Sequence, residues 1–252
     1  MILLIDIGNT NTHVGLARGR RIIRHTDIPT AAWRTGKAEA LLRRFIGKAT
    51  MRAGAVCSVV PKVTPLVQKS VGKLWKLKLY ELTAKTLLGV GIDYPKPRTI
   101  GPDRLANAVA ARSEFGAPVV VVDFGTAVTF DVVDARGNYT GGIIAPGLAA
   151  MTDYLHDKTA LLPRIKIRET RSAIGKSTEA AMLVGAVHGY RGLVRELIMQ
   201  LKRELRAKRL PVVATGGYAK LIAAKLPEIS RVEPNLTLKG LRLVLERVQT
   251  AG

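Results

Sequence analysis

An aspartate placed directly after a run of strand-forming apolar residues, then a glycine and a threonine-rich turn, occurs twice in this chain. Met1 to Ile5 lead into Asp6-Ile7-Gly8-Asn9-Thr10-Asn11-Thr12, and Val119 to Val122 lead into Asp123-Phe124-Gly125-Thr126-Ala127-Val128-Thr129. Each turn is followed by a second strand that returns through a hairpin: His13 to Ala17 turning at Gly19, and Phe130 to Val133 turning at Asp134-Ala135-Arg136-Gly137. One Asp-x-Gly-x-Thr is an ordinary turn. Two copies in the same strand–turn–strand setting point to a duplication and to a phosphate site. Glycine lets the backbone approach a ligand closely because it lacks Cβ, and nests of backbone amides bind phosphate. Facing each other across a cleft, two such turns would offer two carboxylates, several hydroxyls and many amides to one ligand. Neither the P-loop pattern G-x-x-x-x-G-K-[ST] nor the dinucleotide pattern G-x-G-x-x-G occurs.

The length of 252 residues suits one large domain or two small ones. The leading apolar residues are too few for a signal peptide and Asp6 interrupts them. No apolar run approaches the roughly 20 residues needed to span a bilayer. The one cysteine, Cys57, lies in the apolar stretch 55–60, which excludes an internal disulfide and a cysteine-rich metal site and predicts a core-packing role. These features predict a cytoplasmic protein with no membrane partner. The net charge of +21 favours anions, nucleic acid included. Its lysines and arginines are scattered, however, among Arg18 to Arg24, Lys69 to Lys78, Arg164 to Arg171 and Lys202 to Arg209, and aromatics make up only 5%. No helix-turn-helix, zinc-finger or RNP signature accompanies them. The charge therefore reads as a solvated surface suited to anionic substrates. Specific nucleic-acid binding is not expected, and any non-specific binding would fade steeply with salt.

The remaining pattern predicts helices at 36–46, 62–74 and 103–115, strands at 53–60 and 78–82, and a loop-rich segment at 83–100. A helix begins at Leu148, and Ser177 caps a long helix running to about Arg206. A strand at Val212 to Ala214 ends in Thr215-Gly216-Gly217, and a last helix covers 238–247. Gly185, Gly189 and Gly192 fall on one stripe of the long helix, where each costs up to about 1 kcal/mol relative to alanine. Close approach of another helix, within the subunit or across a dimer, would compensate.

Gly101-Pro102-Asp103-Arg104 is a second candidate for chemistry, with a carboxylate and a guanidinium at a helix start. The helix dipole favours an ionised aspartate there, and arginine can fork onto a carboxylate. The blander account makes Asp103 an exposed helix-start acid and Arg104 its partner.

Taken in order, these pieces resemble the type III pantothenate kinases, the CoaX-type bacterial enzymes of the actin, hexokinase and Hsp70 superfamily. The resemblance spans nearly the whole chain: DIGNTNT at 6–12, Tyr94 ahead of GPDR at 101–104, DFGTAVT at 123–129, GGIIAPG at 141–147, TALLP at 159–163, IGKST at 174–178 and ATGG at 214–217. It implies an α/β protein with a duplicated actin-like, ribonuclease H-like fold, its halves at residues 1–102 and 103–252 around a nucleotide cleft. It further implies ATP-dependent phosphorylation of pantothenate to 4′-phosphopantothenate, the first step of coenzyme A biosynthesis, in a homodimer. Asp6, Ile7, Gly8, Asn9, Thr10, Asn11, Thr12 and His13 would cradle the ATP phosphates, with Asp6 near Mg2+. Thr126, Gly216 and Gly217 would also meet ATP, and Asp123 would hold a monovalent cation, K+ or NH4+. Asp103 would be the general base. Tyr94, Gly101, Pro102, Asp103, Arg104 and Thr178 would line the pantothenate site, Thr178 reaching it across the dimer. The alternative is a non-catalytic regulatory accessory protein of the same family; retention of Asp6, Asp103 and Asp123 together favours the enzyme.

Overall fold

The computed structural model describes residues 1–87, 89–207 and 209–251. Leu88 of the loop-rich segment, Lys208 of the basic stretch 202–209 and Gly252 lie outside the described residues. In chain order the first elements are strands β1 (Ile2–Ile7), β2 (Asn11–Arg18) and β3 (Arg21–Pro29), helices α1 (Ala31–Arg34) and α2 (Lys37–Ile46), strand β4 (Ala53–Ser58), helix α3 (Thr64–Trp75) and strands β5 (Tyr80–Glu81) and β6 (Gly91–Ile92). Helix α4 (Pro102–Phe115), strands β7 (Val119–Phe124), β8 (Ala127–Val133) and β9 (Asn138–Pro146), and helices α5 (Leu148–Lys158) and α6 (Thr178–Val184) follow. Helix α7 (Tyr190–Glu204), strand β10 (Val212–Thr215), helix α8 (Ala219–Ala223), strand β11 (Arg231–Val232) and helix α9 (Leu236–Ala251) complete the chain.

The elements gather into two compact units. The first is Met1–Gly116, Gly137–Thr140 and Asn235–Gly252, and the second is Ala117–Arg136 and Gly141–Pro234. The first has a sheet of order β3-β2-β1-β4-β5. Here β1 pairs antiparallel with β2 and parallel with β4. The sheet of the second unit contains the order β9-β8-β7-β10-β11, with β7 antiparallel to β8 and parallel to β10. One topology is thus laid down twice, and the two Asp-x-Gly turns sit at the same place in each copy, between the central strand and its antiparallel partner. The fold is that of a duplicated actin-like α/β protein.

In the first unit, every residue of β1 is buried. The two-residue period of a strand then sorts its side chains between faces. Leu3, Ile5 and Ile7 join a cluster with Val14, Leu16, Trp33, Leu42, Ile46 and Val67. Leu4 and Asp6 have the opposite parity, as do their register partners Ala55 and Cys57 on β4. Helices α4 and α9 cover this second face, and Leu238 of α9 lies against Gly15, the register partner of Leu4. Where α4 and α9 cross, Gly240 meets the backbone of Ala106 so closely that an added Cβ would run into the Ala106 carbonyl.

Most expected elements are present with boundaries shifted by a residue or two, and two differ more. The last helix starts at Leu236 and runs to Ala251, longer than 238–247; at its start, buried Leu236 extends the stripe of Leu238, Leu241, Val244 and Leu245. The long helix is not uniform. Ser177 caps it as expected, accepting from the Ala180 N–H at 3.1 Å. Between α6 and α7, however, Gly185–Gly189 form a π-helical turn, an i→i+5 widening found in short pieces at helix irregularities. Apart from chain neighbours and the helix's own backbone, no atom of the described residues comes within 4 Å of a Cβ built on Gly185, Gly189 or Gly192. Packing of a helix of the same subunit on this stripe is therefore excluded among the described residues.

The Gly240 contact gives a direct test. Alanine has the higher intrinsic helix propensity by about 1 kcal/mol, so Gly240→Ala would stabilise an isolated α9. The clash with Ala106 backbone should win. We expect urea denaturation to show a net loss of about 1–3 kcal/mol, the usual cost of overpacking; an unchanged or raised midpoint would show that the helices are free to separate.

Candidate active site

In the first unit, the candidate site begins where β1 leaves the core. Asp6 is its penultimate residue and is only 8% exposed. The turn after it is closed by the Gly8 N–H donating to Asn11 O at 3.0 Å, and a Cβ on Gly8 would sit 2.9 Å from that oxygen. Asn9 and Thr10 are exposed and Asn11 is half-buried, while Ile7 is fully buried, so Ile7 offers the turn its backbone alone. Thr12 is fully buried, and its hydroxyl accepts from Trp33 Nε1 at 3.0 Å and pairs with Thr30 Oγ1 at 3.1 Å. Thr30 Oγ1 donates to Gly8 O at 2.7 Å, and its N–H donates to Thr10 O. Thr12 thus braces the turn from the core side. Thr30 and Trp33, which the sequence reading did not single out, complete the brace; no motif marks them, since they reach the turn through β3 and α1. His13 is exposed on β2 with Nδ1 2.6 Å from Asp27 Oδ1, and this hydrogen bond holds the Asp27 carboxyl below its ordinary range.

Asp6 shares its face of the sheet with its register partner Cys57, and α4, which packs on β4, brings the charge of Asp103 to bear on Cys57. Pro102 occupies the first turn of α4, where its missing N–H costs nothing. Asp103 follows, and its Oδ1 folds back to accept from the Arg104 N–H at 2.8 Å. A Cβ on Gly101 would collide with this carboxylate oxygen and lie 3.5 Å from Val59. Asp103 is therefore not the exposed helix-start acid of the blander expectation; it is half-buried. Burial pushes its carboxyl above the usual range, with the Arg104 N–H and guanidinium acting the other way. Cys57, expected to pack in the core, does so completely and also donates its thiol to Asp6 Oδ1 at 3.3 Å. Burial raises the thiol well above its ordinary value, and the charges of Asp6 and Asp103 raise it further. The thiol stays protonated between two carboxylates. Arg104 and Tyr94 are joined by a residue the sequence reading passed over, Tyr139: its ring lies 5.8 Å under the Arg104 guanidinium and meets Tyr94 edge-on at 6.2 Å.

The second unit carries the second Asp-x-Gly turn. Asp123, at the end of β7, is half-buried and in register with Thr215 of β10. Gly216 has φ of 90°, and a Cβ there would come 2.5 Å from Asp123 Oδ1 and 2.7 Å from Phe124 N, so both backbone angle and space demand glycine. Gly217 is exposed with open space around it. The Gly125 N–H closes the second turn onto Ala127 O at 3.1 Å, leaving Thr126 exposed. Gly147, the last residue of GGIIAPG, abuts the carbonyls of Gly125 and Thr126. The preceding Pro146 O accepts from buried Tyr190 at 3.1 Å. Thr178 is the exposed first residue of α6.

Among the described residues, no group of three or more His, Cys, Asp or Glu side chains is arranged to hold a metal ion. Magnesium does not require one, since it binds through one or two carboxylates plus substrate phosphates and waters; Asp6, at the edge of an amide-rich turn, fits that donor set. Asp123, half-buried at the end of β7, is a hard oxygen donor.

A doubled strand–Asp-x-Gly–strand sheet with a carboxylate at each central strand end defines a member of the actin-like kinase class. Among solved structures, the chain is similar to a Campylobacter jejuni protein described as a Baf family transcriptional activator (TM-score 0.61, 17% identity, 98% of this chain and 99% of that one). It is also similar to a ROK family glucokinase from Streptomyces griseus in complex with glucose and AMPPNP (TM-score 0.51, 14% identity, 97% and 99% covered). These likenesses concern the fold. In sequence, the model of the type III pantothenate kinase family matches residues 2–200. Proteins described as type III pantothenate kinase match at 49% identity in Akkermansia muciniphila (96% of this chain, 96% of the relative) and 44% in Methylacidiphilum infernorum (97% and 88%). The chain belongs to the type III pantothenate kinase family.

The raised pKa of Asp103 fixes the sign of its stability effect. Folding disfavours the charged form, so the folded state holds the proton more tightly than the unfolded one. The resulting stabilisation is full below the unfolded value near ~4 and is lost as pH rises through the folded value. At pH 7 the ionised carboxylate is a net cost. Asp103→Asn, whose Oδ1 can still accept from the Arg104 N–H, should therefore melt at or above the wild-type temperature at pH 7. A drop of several degrees in calorimetry would contradict this account of the site.

Proposed function

We propose that this chain phosphorylates pantothenate with ATP to give 4′-phosphopantothenate, opening coenzyme A biosynthesis, with Asp103 as the general base. The observation that carries the reading is the setting of Asp103: a desolvated carboxylate at a helix start, crowded by Gly101 and next to Arg104. Such a base works best when its pKa lies closer to the operating pH than an ordinary carboxylate's. No observation favours a non-catalytic accessory role.

In this reading the amides of the Gly8–Asn11 turn hold the ATP phosphates, with Thr126 on the second turn and Gly216 and Gly217 near the adenosine. Asp6 would hold Mg2+ and Asp123 the monovalent cation, K+ or NH4+. Those cations offset charge on the phosphate oxygens. Phosphoryl transfer asks little covalent help of the protein, so positioning dominates. Arg104 meets the pantothenate carboxylate. Tyr94, Gly101 and Pro102 shape the pocket, and Asp103 takes the proton of the primary hydroxyl as the new O–P bond forms. The halves 1–102 and 103–252 are read as the two copies of the ancestral actin-like element, an assignment supported by the matching strand orders and distinct from the division into compact units.

A homodimer is part of the proposal, with Thr178 serving the pocket across it. The support lies in the second unit, where the glycine stripe is open and large apolar side chains are bare: Leu161 is 89% exposed, Ile174 75%, Ile144 65% and Tyr154 63%.

Three outcomes are expected. Asp103→Asn should lower kcat by about 10²–10⁴-fold, the usual contribution of a general base, while ATP binding measured by calorimetry persists. In the wild type, kcat/KM should fall as pH drops through a value above the ordinary carboxylate range. A folded Asp103→Asn protein turning over at near the wild-type rate would sink the assignment. Separately, Gly189→Leu should shift light-scattering mass from dimer toward monomer, and an unchanged dimer would place the interface elsewhere.

A further inference from the structure

Tyr139 is fully buried, and no functional motif marks it. It belongs to the segment Gly137–Thr140, the start of β9 with the residue before it, that joins the first unit. Two kinds of contact converge on it. Through its backbone it holds the chain that carries Tyr94: β6 pairs with β9 at Gly91↔Asn138 and Ile92↔Tyr139, and the Asp93 N–H donates to Tyr139 O at 2.9 Å. A Cβ on Gly91 would meet the end of the Asn138 side chain. Through its ring it touches both substrate-side groups. The Arg104 guanidinium carbon lies 5.8 Å over the ring face, and the ring of Tyr94, 37% exposed, meets it at 6.2 Å with planes at 68°.

Both contacts have the geometry of real attractions. A guanidinium within about 6 Å of a ring centroid is drawn to its negative face. Aromatic pairs favour the edge-to-face arrangement at about 4.5–7 Å. A long arginine side chain otherwise loses rotamer freedom when it grips a ligand, at a cost of about 0.5–1.5 kcal/mol. Held over a ring beforehand, it has already lost much of that freedom, and its planar fork remains suited to a carboxylate.

We propose that Tyr139 is the positioning residue of the acid-binding side of the substrate pocket, its buried ring pre-setting Arg104 and Tyr94 for a substrate carboxylate. Tyr139 touches no substrate and acts only through these two neighbours. The proposal rests on the reading that Arg104 and Tyr94 line the pantothenate site.

Steady-state kinetics on Tyr139→Leu, Tyr139→Phe and Arg104→Ala separate the possibilities. Leucine fills space but removes the ring. Losing one cation–π contact and one aromatic pair predicts a rise of roughly tenfold in KM for pantothenate, with KM for ATP changed less than about twofold and saturated kcat less than about threefold. Phenylalanine keeps the ring and should hold the pantothenate KM within about threefold of wild type. Arg104→Ala should raise that KM at least as much as Tyr139→Leu. In the Arg104→Ala background, Tyr139→Leu should add less than it does alone, as expected for residues acting together.

If Arg104→Ala raises KM and a folded Tyr139→Leu does not, the positioning role is overturned while the site reading stands. If Arg104→Ala leaves KM unchanged, the site reading falls and the proposal with it. A Tyr139→Leu protein that loses ATP and pantothenate affinity in parallel shows a merely structural residue and overturns the proposal. Should Tyr139→Leu fail to fold, Tyr139→Phe still decides: a tenfold rise in its pantothenate KM would mean that the ring is not the working element.

Discussion

Desolvation of carboxylates at the ends of doubly covered strands is the constraint on which the rest of this structure depends. A strand buried on both faces cannot hold an ionised group in its middle without a large cost. At its last residues the same strand can, because backbone amides, glycine turns and incoming ligands meet there. β1 ends in this way at Asp6 and β7 at Asp123. The apolar run before each aspartate is what carries a charge to the edge of a core and stops it there.

Glycine supplies the second requirement, closeness. Gly101 is small because Asp103 folds back over it, Gly216 because Asp123 does so, and Gly147 because the carbonyls of Gly125 and Thr126 press against it. At each of these positions the neighbour is backbone or a carboxylate, which cannot swing aside as a long flexible side chain would. Space, more than backbone freedom, decides at Gly101 and Gly147, whose φ values of −58° and −69° suit any residue; at Gly216 both count. The charge clusters also depend on neutral partners. A protonated thiol at Cys57 and a buried hydroxyl at Thr12 tie the first turn and its aspartate to the core without adding charge.

Much of this was legible in the chain itself. The period-two runs, the Asp-x-Gly turns, Pro102 at a helix start, Ser177 as a cap and the hairpin turns at Gly19 and Gly137 are local features, and local sterics and hydrogen bonding fixed them. The candidate residues on the two turns and in Gly101–Arg104 stand out for the same reason: each motif is a short stretch of adjacent residues. The π-helical turn at Gly185–Gly189 was not legible, because it is a choice between two hydrogen-bond patterns that the same residues accept.

The sequence by itself determined the repeated strand–turn–strand element, the identity of the three carboxylates and the family to which the chain belongs. Only the tertiary structure decided that Asp103 is desolvated, that Cys57 bonds to Asp6, that Thr30 and Trp33 brace the first turn, and that Tyr139 lies beneath Arg104 and Tyr94. The physical reason is separation along the chain. Asp6 and Cys57 are 51 residues apart and meet because parallel strands pair in register. Arg104 and Tyr139 meet because β9 returns to pair with β6. Local propensity sets which element each residue joins, but burial and side-chain contact follow from which elements pack together, and that is settled by the free energy of the whole core.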